Sequence, residues 1–335
     1  MVTKILIILS LSALFLTSAG CESDDAVVAP GDNNTTLTRA GISLSIQGTA
    51  PSTSLSKGIS NFSAADSVIL SVKDVAGIEI GTLILTDARL ALKDIKLKAK
   101  DEDEDGEEES EDEEDEEDEN ENIKFKGPYV VDLITNTVSP SLDTISIIAA
   151  TYTEIELKLH KIKGGEKDDD STTVLVDESD PLFGNSIYLE GLYTGATADS
   201  QVTNIPFFLS FDFDEKFLLS GSDSTFADTS LGFDIVEGAV NEIIIAFRQA
   251  KWFAFDDIET NRDMLDFNNL TLSQDSTGQA IIILDKDEDG DNKKIRRVIK
   301  DNIKESADYG KDKDKNGKLE SDEDDDPDED DEDDD

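Results

Sequence analysis

The sequence predicts an antiparallel β-sandwich, and three observations lead there. Apolar residues alternate with polar ones in several separate stretches. Short clusters of Gly, Asp, Ser and Lys punctuate them, and almost no 3.6-residue period occurs before residue 290. Short strands at such spacing are the signature of a two-sheet β architecture, either one large sandwich or two consecutive ones.

The alternation is clearest in "TYTEIELKLHKI". There Ile155, Leu157 and Leu159 define one face, and Glu154, Glu156, Lys158 and His160 define the other. "GISLSIQG" repeats it with Ile42, Leu44 and Ile46, and "IPFFLSFDFD" with Phe207, Leu209, Phe211 and Phe213. In "ARLALKDIKLKAK" the pairs Leu90/Leu92 and Ile95/Leu97 are out of phase by one residue, which predicts a bulge at Lys93-Asp94. "NEIIIAFRQAKWFAF" and "QAIIILD" are nearly continuous apolar runs and read as central strands. The turn signals "KGGEKDDD" and "GSDST" separate these pieces.

Net charge is −48, from 78 acids and 30 Lys and Arg, and it is unevenly placed. Residues 101–122 hold 18 acids and no base, and residues 321–335 hold 13 more. Setting those 31 aside leaves 47 acids against 30 bases, an ordinary soluble surface. The run at 101–122 lies between two strand-like pieces and is expected to be a disordered excursion from a sheet edge. Charge argues against nucleic acid as a partner, since a polyphosphate would be repelled and no basic patch appears. Cations and basic protein surfaces are the partners that acidic runs favour.

The first twenty residues read as a targeting segment: Lys4, then an apolar stretch over 5–16, then the small residues Ser18, Ala19 and Gly20. Cys21, the one cysteine of the chain, follows directly. This resembles a bacterial lipoprotein signal, which implies lipid attachment at Cys21, although Ser18 stands where such signals usually carry leucine. The alternative is ordinary cleavage near Ala19 or Gly20, leaving a free thiol. "SDD" after the cysteine resembles the export signal of surface lipoproteins in Bacteroidetes-type bacteria. The expected place is therefore the bacterial outer membrane or cell surface, with the lipid as membrane contact.

The stretches "LTDARLALKDIKLK", "FKGPYVVDLI" and "IIAATYTEIELKLHKI" resemble a bacterial envelope lipoprotein domain family, over roughly residues 40–165. The resemblance implies a β-sandwich at the envelope and no established chemistry. The expected organisation is a signal peptide at 1–20, a tether at 21–40 and a β-sandwich domain at 41–166 with its acidic insert. A second β-sandwich region at 167–284, a calcium-loop module at 285–323 and an acidic tail at 324–335 follow.

The module carries the candidate metal ligands. "DKDKNGKLESDE" at 312–323 places Asp312, Asp314, Asn316, Lys318 (through its carbonyl), Glu320 and Glu323 at positions 1, 3, 5, 7, 9 and 12, with Gly317 at 6. A hard cation needs six or more oxygens, and a chain reversing around it presents alternate residues inward. "DKDEDGDNKKIR" at 285–296 repeats the start with Asp285, Asp287, Asp289, Gly290 and Asp291, but has Arg296 at position 12. Between the loops, Ile295, Val298, Ile299 and Ile303 share one face of a helix expected at about 294–309. The unit resembles EF-hand or dockerin-type modules, implying calcium as the bound ion.

Signals for catalysis are poor. His160 is the one histidine and sits on the polar face of its strand, and neither a nucleophile elbow nor a phosphate-binding glycine loop occurs. Trp252, Phe253 and Phe255 in "KWFAF" are expected to fill the core rather than to form a sugar-stacking platform. The reading is a non-enzymatic surface protein with a binding or adhesion role. A carbohydrate-active surface enzyme, or its glycan-binding accessory, is the alternative, which adds an extracellular glycan to the candidate partners.

Overall fold

The computed structural model describes residues 39–49, 67–99, 122–163, 176–220, 233–311 and 319. In chain order its strands are β1 (Arg39–Thr49), β2 (Val68–Lys73), β3 (Glu79–Ala99), β4 (Asn122–Asp132), β5 (Thr137–Ser139), β6 (Ile145–Ile148) and β7 (Thr151–Leu159). They continue as β8 (Ile187–Ala196), β9 (Gln201–Phe211), β10 (Lys216–Ser220), β11 (Phe233–Asp234), β12 (Val240–Arg248), β13 (Ser273–Gln274), β14 (Ala280–Leu284) and β15 (Ala307–Lys311). The α-helix α1 (Gly290–Glu305) is inserted between β14 and β15.

The protein is all-β apart from that helix, and its strands form two open sheets. One has four strands in the order β15-β12-β1-β6; the other runs β10-β7-β3-β8-β9-β14-β13, with β2, β4, β5 and β11 attached at its sides. Both sheets send apolar side chains into one continuous core. Ile42, Leu44 and Ile46 of β1 and Ile243, Ile245 and Phe247 of β12 meet Leu83, Leu90, Leu157, Phe207 and Phe211 of the larger sheet's β3, β7 and β9. Most pairings are antiparallel, but β1–β12 and β14–β9 are parallel.

The twenty-one residues of β3 organise the larger sheet. Its first half pairs with β2 on one side and β8 on the other, and its second half pairs with β4 and β7. A strand that long has to twist and change partners. The register slips between Leu92 and Asp94 against both β4 and β7, so the expected bulge is present at Lys93. The slip keeps Leu90, Leu92, Ile95 and Leu97 all in the core.

Strands from both sides of residue 166 share each sheet: β3 pairs with β8, and β1 pairs with β12. The expected boundary near 166 therefore does not divide the sheets, and the single large sandwich is the form adopted. The acidic insert at 101–121 and the tail at 324–335 lie outside the described residues.

Three local expectations are corrected. The apolar run through "KWFAF" is not one strand: β12 stops at Arg248, and a 3-10 turn at Gln249–Lys251 follows. Gln249 turns inward there and its side-chain amide donates to the Leu133 carbonyl at 3.1 Å. The helix begins at Gly290 rather than near 294, and ends at Glu305, because the chain turns at Ser306 to add β15 to the smaller sheet. Glu156, expected on a wet face, is only 4% exposed, since Lys98 and Lys216 reach over it at 3.8 and 3.7 Å.

Candidate functional site

The junction of β14 and α1 holds four of the expected metal ligands, three in the loop and Asp291 in the first helical turn. A strand enters it and a helix leaves it. Asp285 Oδ1 accepts the backbone N–H of Asp287 at 2.9 Å, which closes a tight turn at the strand exit. Asp287 points to solvent beside Lys286 at 3.4 Å. Asp289 is the N-cap residue of α1 with extended backbone, and its carboxylate makes no capping hydrogen bond. Gly290, at position 6, has φ +62, the left-handed conformation that favours glycine at a sharp turn. Asp291 lies in the first helical turn, 3.8 Å from Lys294. Acids at a helix start also complement the helix dipole, so their presence has a structural reason besides ligation.

Two further positions of this loop serve packing. Asn292, at position 8, is buried: its Nδ2 donates to the Thr271 carbonyl and to Glu288 Oε2, both at 3.0 Å, and its Oδ1 accepts from the Thr271 N–H at 2.9 Å. Arg296, at position 12, donates to the Ser210 carbonyl at 3.0 and 2.7 Å and lies 4.6 Å from the centre of the Phe211 ring. The helix thus begins at position 6 and carries positions 7 to 12 along its own axis. Among the described residues, no three His, Cys, Asp or Glu side chains converge as a metal shell. The residues fit a cation in part: three outward carboxylates and the required glycine turn. Cys21 and the ligand positions of the 312–323 loop lie outside the described residues; of that loop, Leu319 alone is described.

The helix behind this loop is firmly mounted. Ile295, Val298, Ile299 and Ile303 are all fully buried, as their spacing predicts. Its polar flank forms a ladder against the β9 end and β10: Arg296 over Phe211, Lys300 over Phe213 at 5.2 Å, and Lys304 near Phe217 at 6.0 Å. Glu215 pairs with Lys300 at 3.1 Å and Lys304 at 3.6 Å. At its far end Asn302 Nδ2 donates to the Ala254 carbonyl at 2.7 Å, and Trp252 Nε1 donates to Ser306 Oγ at 2.8 Å.

Trp252, Phe253 and Phe255 are buried in the core, so these three do not form a solvent-facing platform. His160 is largely covered, and its Nδ1 lies 3.2 Å from Asp214 Oδ1. The Lys161 N–H on that same oxygen at 2.8 Å, with the His160 contact, holds the Asp214 carboxyl below the usual carboxylate range. A second ionic knot lies on β3. Arg89 binds both oxygens of Asp87 at 2.8 Å and Asp180 Oδ2 at 2.9 Å, while the Tyr188 hydroxyl donates to Glu190 at 2.7 Å. Burial outweighs Arg89 at Asp87 and raises its carboxyl. At Asp180 burial also acts upward, but Arg89 and the Leu182 N–H win, and the carboxyl is held low.

One surface was hidden in the sequence. Strand register places three rows of side chains on the outer face of β4, β3, β7 and β10. They read Lys126, Asp94, Lys158, Lys216; then Lys124, Lys96, Glu156, Leu218; then Lys98 and Glu154. Six lysines thus stand with three acids in a chain whose net charge is −48. Lys124 reaches Asp94 at 3.2 Å, and Lys98 pairs with Glu154 and Glu156. The signal was present as lysine at every second position in "DIKLK", "NIKFK" and "ELKLHK". Only the pairing of four strands brings these lysines together.

No family model matches the chain, and neither a curated protein nor a solved structure matches it.

Proposed function

We propose that this is a non-enzymatic, lipid-anchored bacterial envelope protein whose C-terminal loops bind calcium and whose sandwich serves surface binding or adhesion. The observation that carries the reading is the position of the one cysteine, Cys21, directly after an apolar leader that ends in small residues. No helix among the described residues is long and apolar enough to cross a membrane. With its cysteine lipidated the protein forms no disulfide, and its stability rests on the core and on bound ions.

The anchor is tested by growing cells with labelled palmitate. Label and detergent partitioning are expected with the native chain and absent with Cys21→Ser; unchanged partitioning in that variant removes the anchor.

Calcium enters the proposal through the oxygen spacing of 312–323, supported by the like-spaced 285–291 loop, which is mounted on α1. Extracellular calcium modules bind at about 10⁻⁴–10⁻³ M. At calcium about 100 times Kd, linkage stabilises the bound protein by about 2.7 kcal/mol. Calorimetric titration of the full chain is expected to saturate, and Asp312→Ala with Glu323→Gln to abolish most of the heat. Magnesium substitutes poorly, because it demands rigid octahedral geometry. Identical, unsaturable heats in both proteins would reduce the loop to acidic surface.

A further inference from the structure

The larger sheet ends at β10, which pairs there with β7 alone. The Leu159 N–H donates to the Glu215 carbonyl at 2.8 Å, and the register then runs unbroken from Lys216 opposite Lys158 to Ser220 opposite Glu154. In an antiparallel pair, hydrogen-bonded and non-hydrogen-bonded positions alternate. Phe217 and Leu219 therefore direct their N–H and C=O groups to β7, and Leu218 between them directs its own outward. Those two groups of Leu218 meet no partner among the described residues. Its side chain is 55% exposed on the outer face, while Phe217 and Leu219 are buried. Sheet edges are commonly blunted by a proline, a bulge or a charge. β10, "KFLLS", has neither proline nor bulge, and its one charge, Lys216, stands at the end of the strand, 3.7 Å from Glu156.

Two features select a second copy of the chain as the occupant of this edge. The first is symmetry. When β10 meets its own copy antiparallel about a two-fold axis at Leu218, Leu218 faces Leu218 as a hydrogen-bonded pair. Each N–H then donates to the other copy's carbonyl, and the two exposed leucines cover each other. The second is the order of charges. Along the outer face of β7 and β10, Lys158 and Lys216 stand at one end and Glu154 at the other. The two-fold reversal brings the lysine end of one copy towards the acid end of the next, whereas a parallel meeting would set like against like. Glu156, beside Leu218, already lies between Lys98 at 3.8 Å and Lys216 at 3.7 Å, so it brings no unpaired charge to the axis.

We propose that the β10 edge is where two copies of this chain pair, β10 against β10 about Leu218, so that the larger sheet runs on from one molecule into the other. Each side contributes one short strand, which places the contact at the small end of specific interfaces and makes the dimer reversible with concentration. The pairing needs neither the lipid nor calcium.

Sedimentation equilibrium of the full chain in mild detergent tests it. The protein mass is expected to move from one chain to two as concentration rises. Leu218→Lys removes the apolar contact and sets two ammonium groups across the axis. It is expected to weaken pairing about tenfold or more with the melt unchanged, since this side chain already faces water. Leu218→Pro deletes the outward N–H, leaves the β7 ladder its bonds and is expected to act alike. In membranes of the producing cells, oxidised Leu218→Cys is expected to give a covalent dimer, because the facing Cα atoms stand about 5.5 Å apart, within disulfide reach. Ser276→Cys, on the exposed β13–β14 turn, is expected to stay at the background of the native chain. A single-chain mass at every concentration overturns the proposal. So does a dimer that Leu218→Lys and Leu218→Pro leave intact, and so does equal cross-linking through Ser276→Cys. A Leu218 amide protected from hydrogen exchange in the single chain would assign the edge to a cover within the molecule, and overturns it as well.

Discussion

Two arrays of cations stand on this protein, and they are built on opposite principles. Along α1, Arg296, Lys300 and Lys304 recur every fourth residue, and each lies over an aromatic ring of β9, of the link after it or of β10. Local helical spacing creates that array, and burial against the sandwich uses it. On the outer sheet face, lysines from four strands are assembled by register, and they outnumber the acids among them six to three. The first array glues one element to another. The second faces outward, and its lysines Lys98, Lys124 and Lys216 reach Asp94, Glu154 or Glu156 across the strands.

This contrast can be broken or sharpened by mutation. The largest effect is expected at the apolar side of the helix. Ile299→Ala should cost about 2–5 kcal/mol, because a fully buried branched side chain is removed where helix meets sheet. A urea melt with one cooperative transition, shifted by that amount, is the expected result; a loss below about 1 kcal/mol would mean that the helix is not part of the core.

The paired comparison is smaller and more pointed. Arg296→Ala should cost about 1–3 kcal/mol through the Ser210 carbonyl and the Phe211 ring. Lys158→Ala in the outer array should change stability by less than about 0.5 kcal/mol. Comparable losses at both positions, measured by the same melts, would erase the difference between the two arrays.

The Arg89 knot provides a modest expected effect and a dependence on pH. Asp180→Asn should cost about 1 kcal/mol at neutral pH, since Arg89 keeps its two bonds to Asp87. The folded Asp180 carboxyl is held below its unfolded value near 3.9, so its contribution is present above that value and is lost as pH falls through the lower, folded one. Melts at pH 7 and pH 2.5 should therefore show the wild-type advantage shrinking in acid. An advantage that grew in acid would reverse the sign assigned to this pair.

What could be read in advance followed from local patterns. Alternation located the buried faces of β1, β3 and β7, a one-residue phase slip located the bulge at Lys93, and 3.6-residue spacing located the buried face of α1. What could not be read depended on partners far along the chain. The end of β12 at Arg248 is tied to Gln249, which finds the Leu133 carbonyl 116 residues away. The helix ends at Glu305 because β15 finds β12. The lysine face has the same origin, since no single segment is basic and only register across β4, β3, β7 and β10 gathers it. Of the expected metal ligands, those at 285–291 lie where a turn and a helix start have their own uses for acids and glycine. Loop spacing alone does not separate those roles from ligation.

The smaller sheet has a consequence for the order of assembly. β12 lies between β1 and β15, the first and the last strands described, and its pairing with β1 joins residues about two hundred positions apart. Closing so long a stretch of chain is entropically expensive and kinetically late. During synthesis, β1 cannot meet its principal neighbour until β12 has emerged, and β12 has no second neighbour until residue 311 has followed. Most of the larger sheet pairs through shorter separations and can form first. The apolar face that β1 and β12 will occupy stays open to water until then, so an arrested chain ending before residue 240 would expose it and be prone to associate with its copies.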